Sequence, residues 1–338
     1  MRITVLMGGT SSERDVSLAS GIRVAEALRS RGHEVAAVDP ARGPISLEEQ
    51  QRLASGIVVQ TAPPSEEALR RLAREALPRL VSTLPRQGET DVVFLGLHGG
   101  SGEDGTIQSL LDLTGVPYTG SGHLASAMAM DKDVTKQLFR FAGVTTADWI
   151  MAPATADMVQ ERLGFPVIVK PSKQGSTVGL SIVRSPDELQ PAVDEAYRFD
   201  DEVMIEAFVA GRELTVGIVG GEALPVGEII PKHEIYDYEC KYTAGMAEEH
   251  FPADLTEDEV ARVQAEARAA FQALKLRGYA RVDFRMATDG TFYCLEANTL
   301  PGMTQTSLIP QAAAAAGVSF PELCERIVHL ALEPRGGD

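Results

Sequence analysis

Apolar and polar positions in the first hundred residues fall into short solid runs separated by striped segments. Arg2–Met7 is an apolar run that ends in the turn-rich Gly8-Gly9-Thr10-Ser11-Ser12. Leu18, Ile22, Ala25 and Leu28 then recur at three- and four-residue intervals, which predicts a helix with one buried stripe. Gly32 stands where a left-handed residue would close that helix. Val35–Val38 and Asp91–Leu97 read as further strands, and Gly99–Gly105 as a glycine-rich turn before a helix ending near Gly115. Strand–helix alternation of this kind implies a parallel sheet with helices on its faces, an α/β unit. Between these elements Ala41–Thr90 is polar and rich in Pro, Glu and Arg; Ser65–Leu80 reads as a surface helix and the remainder as loop.

Beyond Gly120 the pattern predicts helices at Ala125–Ala142 and Ala156–Leu163, and strands at Pro166–Lys170, Leu180–Val183 and Val203–Val209. Ser185-Pro186-Asp187-Glu188 has the form of a capping box with proline at the first helical position. Strands follow at Leu214–Val219 and Val226–Ile230, then a long irregular stretch, His233–Asp254. Thr256 with Glu259 forms a second capping box, and two helices near Ser307–Ala316 and Pro321–Leu332 end the chain.

At 338 residues with 44% hydrophobic content, two or three cores are expected. No stretch is apolar for long enough to cross a bilayer, and Met1–Thr10 lacks the basic flank and cleavage site of a secretory signal. Cys240, Cys294 and Cys324 lie far apart and none is in a C-x-x-C pair, so neither a zinc site nor a disulfide framework is suggested; a reducing, cytoplasmic setting fits. The net charge of −17 argues against nucleic acid or an anionic membrane as partner. An anionic small molecule would need positive charge concentrated locally, which directs attention to lysines and arginines beside glycine-rich turns.

The segment Arg281–Asn298 carries the strongest chemical signal. Asp289-Gly290 between two alternating runs predicts a two-residue hairpin turn. Counting outward, Asp283 faces Glu296 and Arg281 faces Asn298, so that Asp283, Glu296 and Asn298 share a face beside Arg281. Val282, Phe284, Met286, Tyr293 and Leu295 fall on the other face and suit a core. Two carboxylates and an amide oxygen suit hard Mg²⁺. A surface hairpin with cross-strand ion pairs is the plainer reading; the apolar opposite face and the adjacent Thr-Leu-Pro-Gly-Met loop favour the metal. The count assumes a two-residue turn and no bulge.

No G-x-x-x-x-G-K-[ST] sequence is present, so a P-loop is excluded. Gly100–Gly105 matches G-x-G-x-x-G, but Glu103 and Asp104 would repel a pyrophosphate. In Val169–Gly179 a lysine, Lys170, ends an apolar strand and a loop rich in glycine and hydroxyls follows, a cover for a triphosphate or a loop with two solvated lysines. Glu206 and Glu213 flank a strand-to-strand step and could accept hydrogen bonds from an adenine amine and ribose hydroxyls, or be solvated.

Taken together these segments resemble the D-alanine–D-alanine ligase family, built on the ATP-grasp fold. The resemblance covers nearly the whole chain except Ala41–Thr90. It rests on Gly-Gly-Thr-Ser-Ser-Glu-Arg-Asp-Val-Ser (8–17), Leu-His-Gly-Gly-Ser-Gly-Glu-Asp-Gly (97–105), Met-Asp-Lys (130–132), Val-Lys-Pro-Ser (169–172) with Gly-Ser-Thr-Val-Gly (175–179), Tyr-Asp-Tyr-Glu-Cys-Lys-Tyr (236–242) and Leu-Glu-Ala-Asn-Thr-Leu-Pro-Gly-Met-Thr (295–304). It implies an N-terminal α/β substrate-binding domain (1–120), a central ATP-grasp subdomain (121–205) and a C-terminal one carrying the metal and catalytic site (206–338). Lys132 and Lys170 would bind ATP phosphates, Lys241 the γ-phosphate, and Glu206 and Glu213 the nucleoside. Asp283, Glu296 and Asn298 would hold two Mg²⁺ (or Mn²⁺) ions. Glu13, near Val16 and His98, would bind the ammonium of the first D-alanine; Arg281 and the Gly302 N–H would stabilise the oxyanion; Ser307 and Leu308 would hold the carboxylate of the second D-alanine. Glu13, Ser176 and Tyr242 would form a hydrogen-bonded set, with His233–Asp254 and Lys173–Gly179 as lids. Tyr242 resembles the dipeptide-forming type, whereas relatives that make D-alanyl-D-lactate tend to carry histidine there. Ala207 departs from the pattern, since several relatives carry lysine.

The resemblance implies a homodimer supplying peptidoglycan precursors in a bacterial cytoplasm. Taken one at a time, Glu13 could instead serve a helix dipole, His98 be a satisfied buried histidine and Ser307 be an N-cap. Two alternatives stand beside this reading: a related ATP-grasp carboxylate–amine or D-alanine–D-lactate ligase, and a nucleotide-binding regulatory protein without turnover.

Overall fold

The computed structural model describes residues 1–56, 71, 83–236 and 245–333. The expected Ser65–Leu80 helix, residue 71 apart, and Cys240, Lys241 and Tyr242 lie outside them. Three sheets organise the described chain.

The first holds β1 (Arg2–Leu6), β2 (Glu34–Asp39), β3 (Gly43–Ile45) and β4 (Val92–Leu95) in the order β3-β2-β1-β4. β1 runs parallel to both β2 and β4, and β3 is an antiparallel edge. Ile3, Val5, Leu6 and the whole of β4 are buried, as strands covered on both faces must be. Helices α1 (Arg14–Ser30), α2 (Leu47–Gly56) and α3 (Thr106–Thr114) accompany this sheet. β3 and α2 occupy part of the stretch expected to be loop. Few of their side chains turn inward, among them Ile45, Gln50 and Leu53, too few to register as a period.

The second sheet is antiparallel: β5 (Trp149–Met151), β6 (Val167–Pro171), β7 (Ser181–Val183) and β8 (Val203–Ala207), ordered β5-β8-β6-β7. The single helix expected at Ala125–Ala142 is two, α4 (His123–Met130) and α5 (Lys132–Phe141). Asp131 breaks it by turning extended and accepting the Val134 N–H at 3.1 Å, an N-cap that starts α5. α6 (Ala156–Arg162) and α7 (Pro186–Ala196) cover the sheet. The capping box expected at Ser185 does not close: Ser185 makes no side-chain cap, and Glu188 accepts the Arg184 N–H at 2.7 Å instead.

The third sheet contains β9 (Gly211–Val219), β10 (Glu222–Ala223), β11 (Gly227–Pro231), β12 (Ala247–His250), β13 (Tyr279–Ala287) and β14 (Phe292–Asn298). Its order is β12-β11-β9-β13-β14, with β10 turned back on β9. β12 corrects the expectation that His233–Asp254 is irregular throughout; it pairs with the edge of β11. α8 (Glu257–Ala273) opens with the expected capping box, Thr256 N–H to Glu259 at 2.8 Å and Glu259 N–H to Thr256 Oγ1 at 3.3 Å.

The chain ends in α9 (Leu308–Ala315) and α10 (Phe320–Leu332). Chain order groups α10 with residues 206–338, yet its Leu323, Cys324, Ile327, Val328 and Ala331 complete the core of the first sheet. Glu325 fastens it there through Arg31 (2.5 Å) and His33 (3.2 Å).

Candidate active site

The β13–β14 hairpin brings the expected face together by a route the sequence count did not contain. Ala287 pairs with Thr291 and Gly290 N–H bonds Ala287 O at 2.9 Å, so the loop has three residues rather than two. Pairing runs Met286↔Phe292, Arg285↔Tyr293 and Phe284↔Cys294, and then Leu295 is bulged. The extra residue restores Asp283↔Glu296 and Arg281↔Asn298. The two departures cancel at the chemical end of the hairpin. They do not cancel below the bulge: the buried β14 residues are Phe292, Cys294 and Ala297, while Tyr293 and Leu295, expected in the core, lie on the other face.

Asp283 accepts hydrogen bonds from Thr215 Oγ1 at 2.7 Å, Asn298 Nδ2 at 2.9 Å and, bidentately, Arg281 at 2.8 and 2.9 Å. Glu296 lies 3.5 Å from Asn298 Nδ2 and 3.6 Å from Lys132 Nζ. Burial works against the Arg281 charge, but the Asp283 carboxylate outweighs it and Arg281 is held still more firmly protonated. Two converging carboxylates and an amide form an all-oxygen set fitting a hard divalent cation. Among the described residues no three His, Cys, Asp or Glu side chains cluster as a metal site; here the third candidate ligand is the amide of Asn298.

This face borders two cavities that share Ser176, Tyr236, Arg281 and Leu308. The first is also lined by Lys132, Lys170, Glu206, Glu213, Asp283 and Glu296, the second by Glu13, Val16, His98, Glu103, Asn298, Gly302 and Ser307. Every described residue singled out from sequence thus reaches one or other cavity, and Arg281 stands between them.

In the first cavity Lys132, at the start of α5, donates to Gln174 O at 2.6 Å. Lys170, at the end of β6, donates to Glu206 at 2.7 Å, and the other Glu206 oxygen takes Lys136. Burial works against the Glu206 charge, yet these two ammonium groups pull its carboxyl down to about 2. Each side-chain oxygen of Glu206 therefore takes one lysine and retains a second lone pair. Glu213 pairs with Arg285 at 3.2 Å.

In the second cavity the Ser176 hydroxyl donates to Glu13, tying the loop after β6 to the N-terminus of α1. Ser176 and Thr177 both hold left-handed backbone, φ 51° and 58°, a conformation costly for non-glycine residues. Gly99 holds left-handed backbone, φ 65°, which favours glycine, and a Cβ there would lie 2.6 Å from Glu13 Oε2 and push that carboxylate aside.

His98 is buried, and burial lowers its pKa despite the Glu13 charge. Its Nδ1–H donates to Leu300 O at 2.8 Å, and neutral Nε2 accepts from Ser20 Oγ at 2.9 Å. Ser20 in turn accepts the Met303 N–H at 3.2 Å. His98 is thus both a satisfied buried histidine and the clamp on the loop carrying Gly302. Ser307 occupies the N-cap position of α9 without capping it; its hydroxyl bonds Thr304 at 2.7 Å and accepts the Thr304 N–H at 3.0 Å.

Sequence reasoning missed three contributors. Glu103, set aside as repelling phosphate, lines the second cavity and accepts N–H bonds from Gly99 (3.1 Å) and Leu300 (3.2 Å). Burial first, and then Glu13, push its carboxyl up to about 7. Arg14 and Asp39 form a buried pair that, through the Gly9 N–H to Asp39 at 3.1 Å, pins the turn before Glu13. Lys136 follows Lys132 by four residues, so the two share a helical face, a spacing visible once Asp131 is known to cap α5.

Two family profiles match the chain: one described as D-ala D-ala ligase N-terminus over residues 2–121, and one described as D-ala D-ala ligase C-terminus over residues 132–329. The chain belongs to the D-alanine–D-alanine ligase family. A D-alanine–D-alanine ligase of Geobacter sulfurreducens is 44% identical over 330 residues, 97% of this chain and 93% of that protein. A crystal structure of the D-alanine–D-alanine ligase of Bacillus anthracis superposes with a TM-score of 0.75 at 34% identity, covering 98% of this chain and 97% of the other. A structure of that ligase complexed with ATP gives 0.73 at 32% identity, with the same coverage. The three sheets described above are therefore an ATP-grasp α/β arrangement.

Proposed function

We propose that this enzyme is an ADP-forming ligase that joins two D-alanines through a D-alanyl phosphate, supplying D-alanyl-D-alanine for peptidoglycan. The observation that carries this reading is Arg281 at the junction of a lysine-bearing cavity and a carboxylate-bearing one. ATP occupies the first, with Lys132 and Lys170 at its phosphates, joined by Lys241, and with the nucleoside toward Glu206 and Glu213. Asp283, Glu296 and Asn298 hold two Mg²⁺ (or Mn²⁺) ions, which when bound neutralise phosphate charge. The amino acids occupy the second cavity, the first ammonium on Glu13 and the second carboxylate at Ser307 and Leu308.

A carboxylate is a poor acyl donor, because its leaving group would be oxide. Phosphoryl transfer from ATP makes an acyl phosphate, and the amine of the second D-alanine attacks it. Arg281, fixed by Asp283, and the Gly302 N–H, held through His98 and Ser20, meet the oxyanion of that attack. Phosphate leaves, giving ADP, phosphate and the dipeptide. Glu13, Ser176 and Tyr242 close the site against water. The units 1–120, 121–205 and 206–338, a homodimer and a cytoplasmic location complete the reading.

ADP release with Mg²⁺, ATP and a panel of D- and L-amino acids and D-lactate tests it. Release should require D-alanine, and silence with D-alanine rejects the proposal. Product formed only when D-lactate is the second substrate would identify the depsipeptide ligase instead.

A further inference from the structure

Glu206 sits at the centre of the second sheet, in register with Trp149 on β5 and Ile168 on β6. Its side chain is 4% exposed and accepts two lysines, one on each oxygen. The two lysines differ in situation. Lys170 lines the nucleotide cavity. Lys136 is wholly buried (0% side-chain exposure), and its remaining contacts, Thr146 Oγ1 at 2.7 Å and the Trp149 ring at 5.2 Å, lie outside the cavity lining. Thr146 is itself tied to Cys294 O at 2.8 Å, which anchors this corner to β14.

Resting on the nucleotide reading above, we propose that Lys136 is a positioning residue for ATP: it is the standing partner of Glu206 and so frees Lys170 to pass from Glu206 to a phosphate. A buried carboxylate cannot give up its only counter-charge without large cost, least of all beside an arriving polyanion. With Lys136 in place the exchange leaves Glu206 paired. Lys170 trades one anion for another, and the cavity wall keeps a net charge of one lysine over the pair. Without Lys136, Glu206 holds Lys170 as its sole partner and competes directly with the phosphates for it.

The test is calorimetric titration with ATP and Mg²⁺, without amino acid, of wild type, Lys136→Met, Glu206→Gln and the double variant. Lys136→Met weakens ATP at least tenfold, with D-alanine KM little changed in turnover assays. The double variant regains most of that loss, because an uncharged amide in place of the Glu206 carboxylate no longer holds Lys170 by charge; a merely structural lysine would give a deficit that persists or deepens. Trp149, the only tryptophan in the chain, reports by its emission that the corner stays packed. Equal ATP affinity in wild type and Lys136→Met, or a double variant no better than Lys136→Met, overturns the proposal. Wild type that binds no ATP overturns the nucleotide reading itself.

Discussion

Asp283 and Glu296 face each other across β13 and β14 because a one-residue bulge at Leu295 offsets a one-residue excess in the turn. Their approach, with Asn298 2.9 Å from Asp283, sets the charge that the reaction has to manage.

Glu296→Gln or Asn298→Ala should abolish most turnover, at least ~10²-fold, while the fold survives, as expected when a ligand to a catalytic metal is lost. ADP release measured against Mg²⁺ concentration, with thermal unfolding as the control, checks this. Near-normal turnover in both variants would remove the metal assignment.

Arg281→Met should lower kcat by ~10²–10³-fold, the scale of losing an oxyanion donor. ATP affinity should move much less, since the phosphates keep Lys132 and Lys170. A change confined to ATP affinity would show that Arg281 does not meet the oxyanion.

Ser176→Ala removes the hydroxyl bonded to Glu13. D-alanine KM should rise roughly tenfold, a typical cost of one hydrogen bond to a charged group, with ATP KM little changed. Initial rates over a D-alanine range that separates the two amino-acid sites decide it.

Glu103 supplies a pH dependence. Its carboxyl is pushed up to about 7 in the folded enzyme, from about 4.5 in the open chain. Between those values the unfolded chain releases the proton and the native enzyme retains it, so this group's contribution to stability falls as pH rises from about 4.5 to 7. Chemical unfolding across that range should show a shallower decline for Glu103→Gln. Parallel curves for the two proteins would reject the assignment.

Much of this was legible in the sequence because the patterns were local. Strand periodicity and the Thr256–Glu259 box each depend on residues close in the chain, whereas the carboxylate face of the hairpin came out right only because a three-residue turn and a bulge cancel. What was not legible depends on tertiary choices. Asp131 can continue a helix or cap one, and its neighbours leave both open. Glu188 takes the backbone N–H of Arg184 rather than that of Ser185, which a capping box would use. The bulge at Leu295 places Cys294 and Ala297 inward and leaves Leu295 toward the lysine-bearing cavity, a choice made by the fit against the rest of the core. Lys136 gave no sign of its importance, since a lysine on a helix is ordinarily solvated and only its enclosure marks it.

The return of α10 to the first sheet has a consequence for how the enzyme comes into being. Strands made within the first hundred residues wait for the helix at Phe320–Leu332 before their apolar surface is covered. On the ribosome the first-sheet core therefore stays unfinished until Phe320–Leu332 has emerged. A chain halted before Phe320 would carry the second and third sheets beside an open, sticky first one, a natural target for chaperones and proteases.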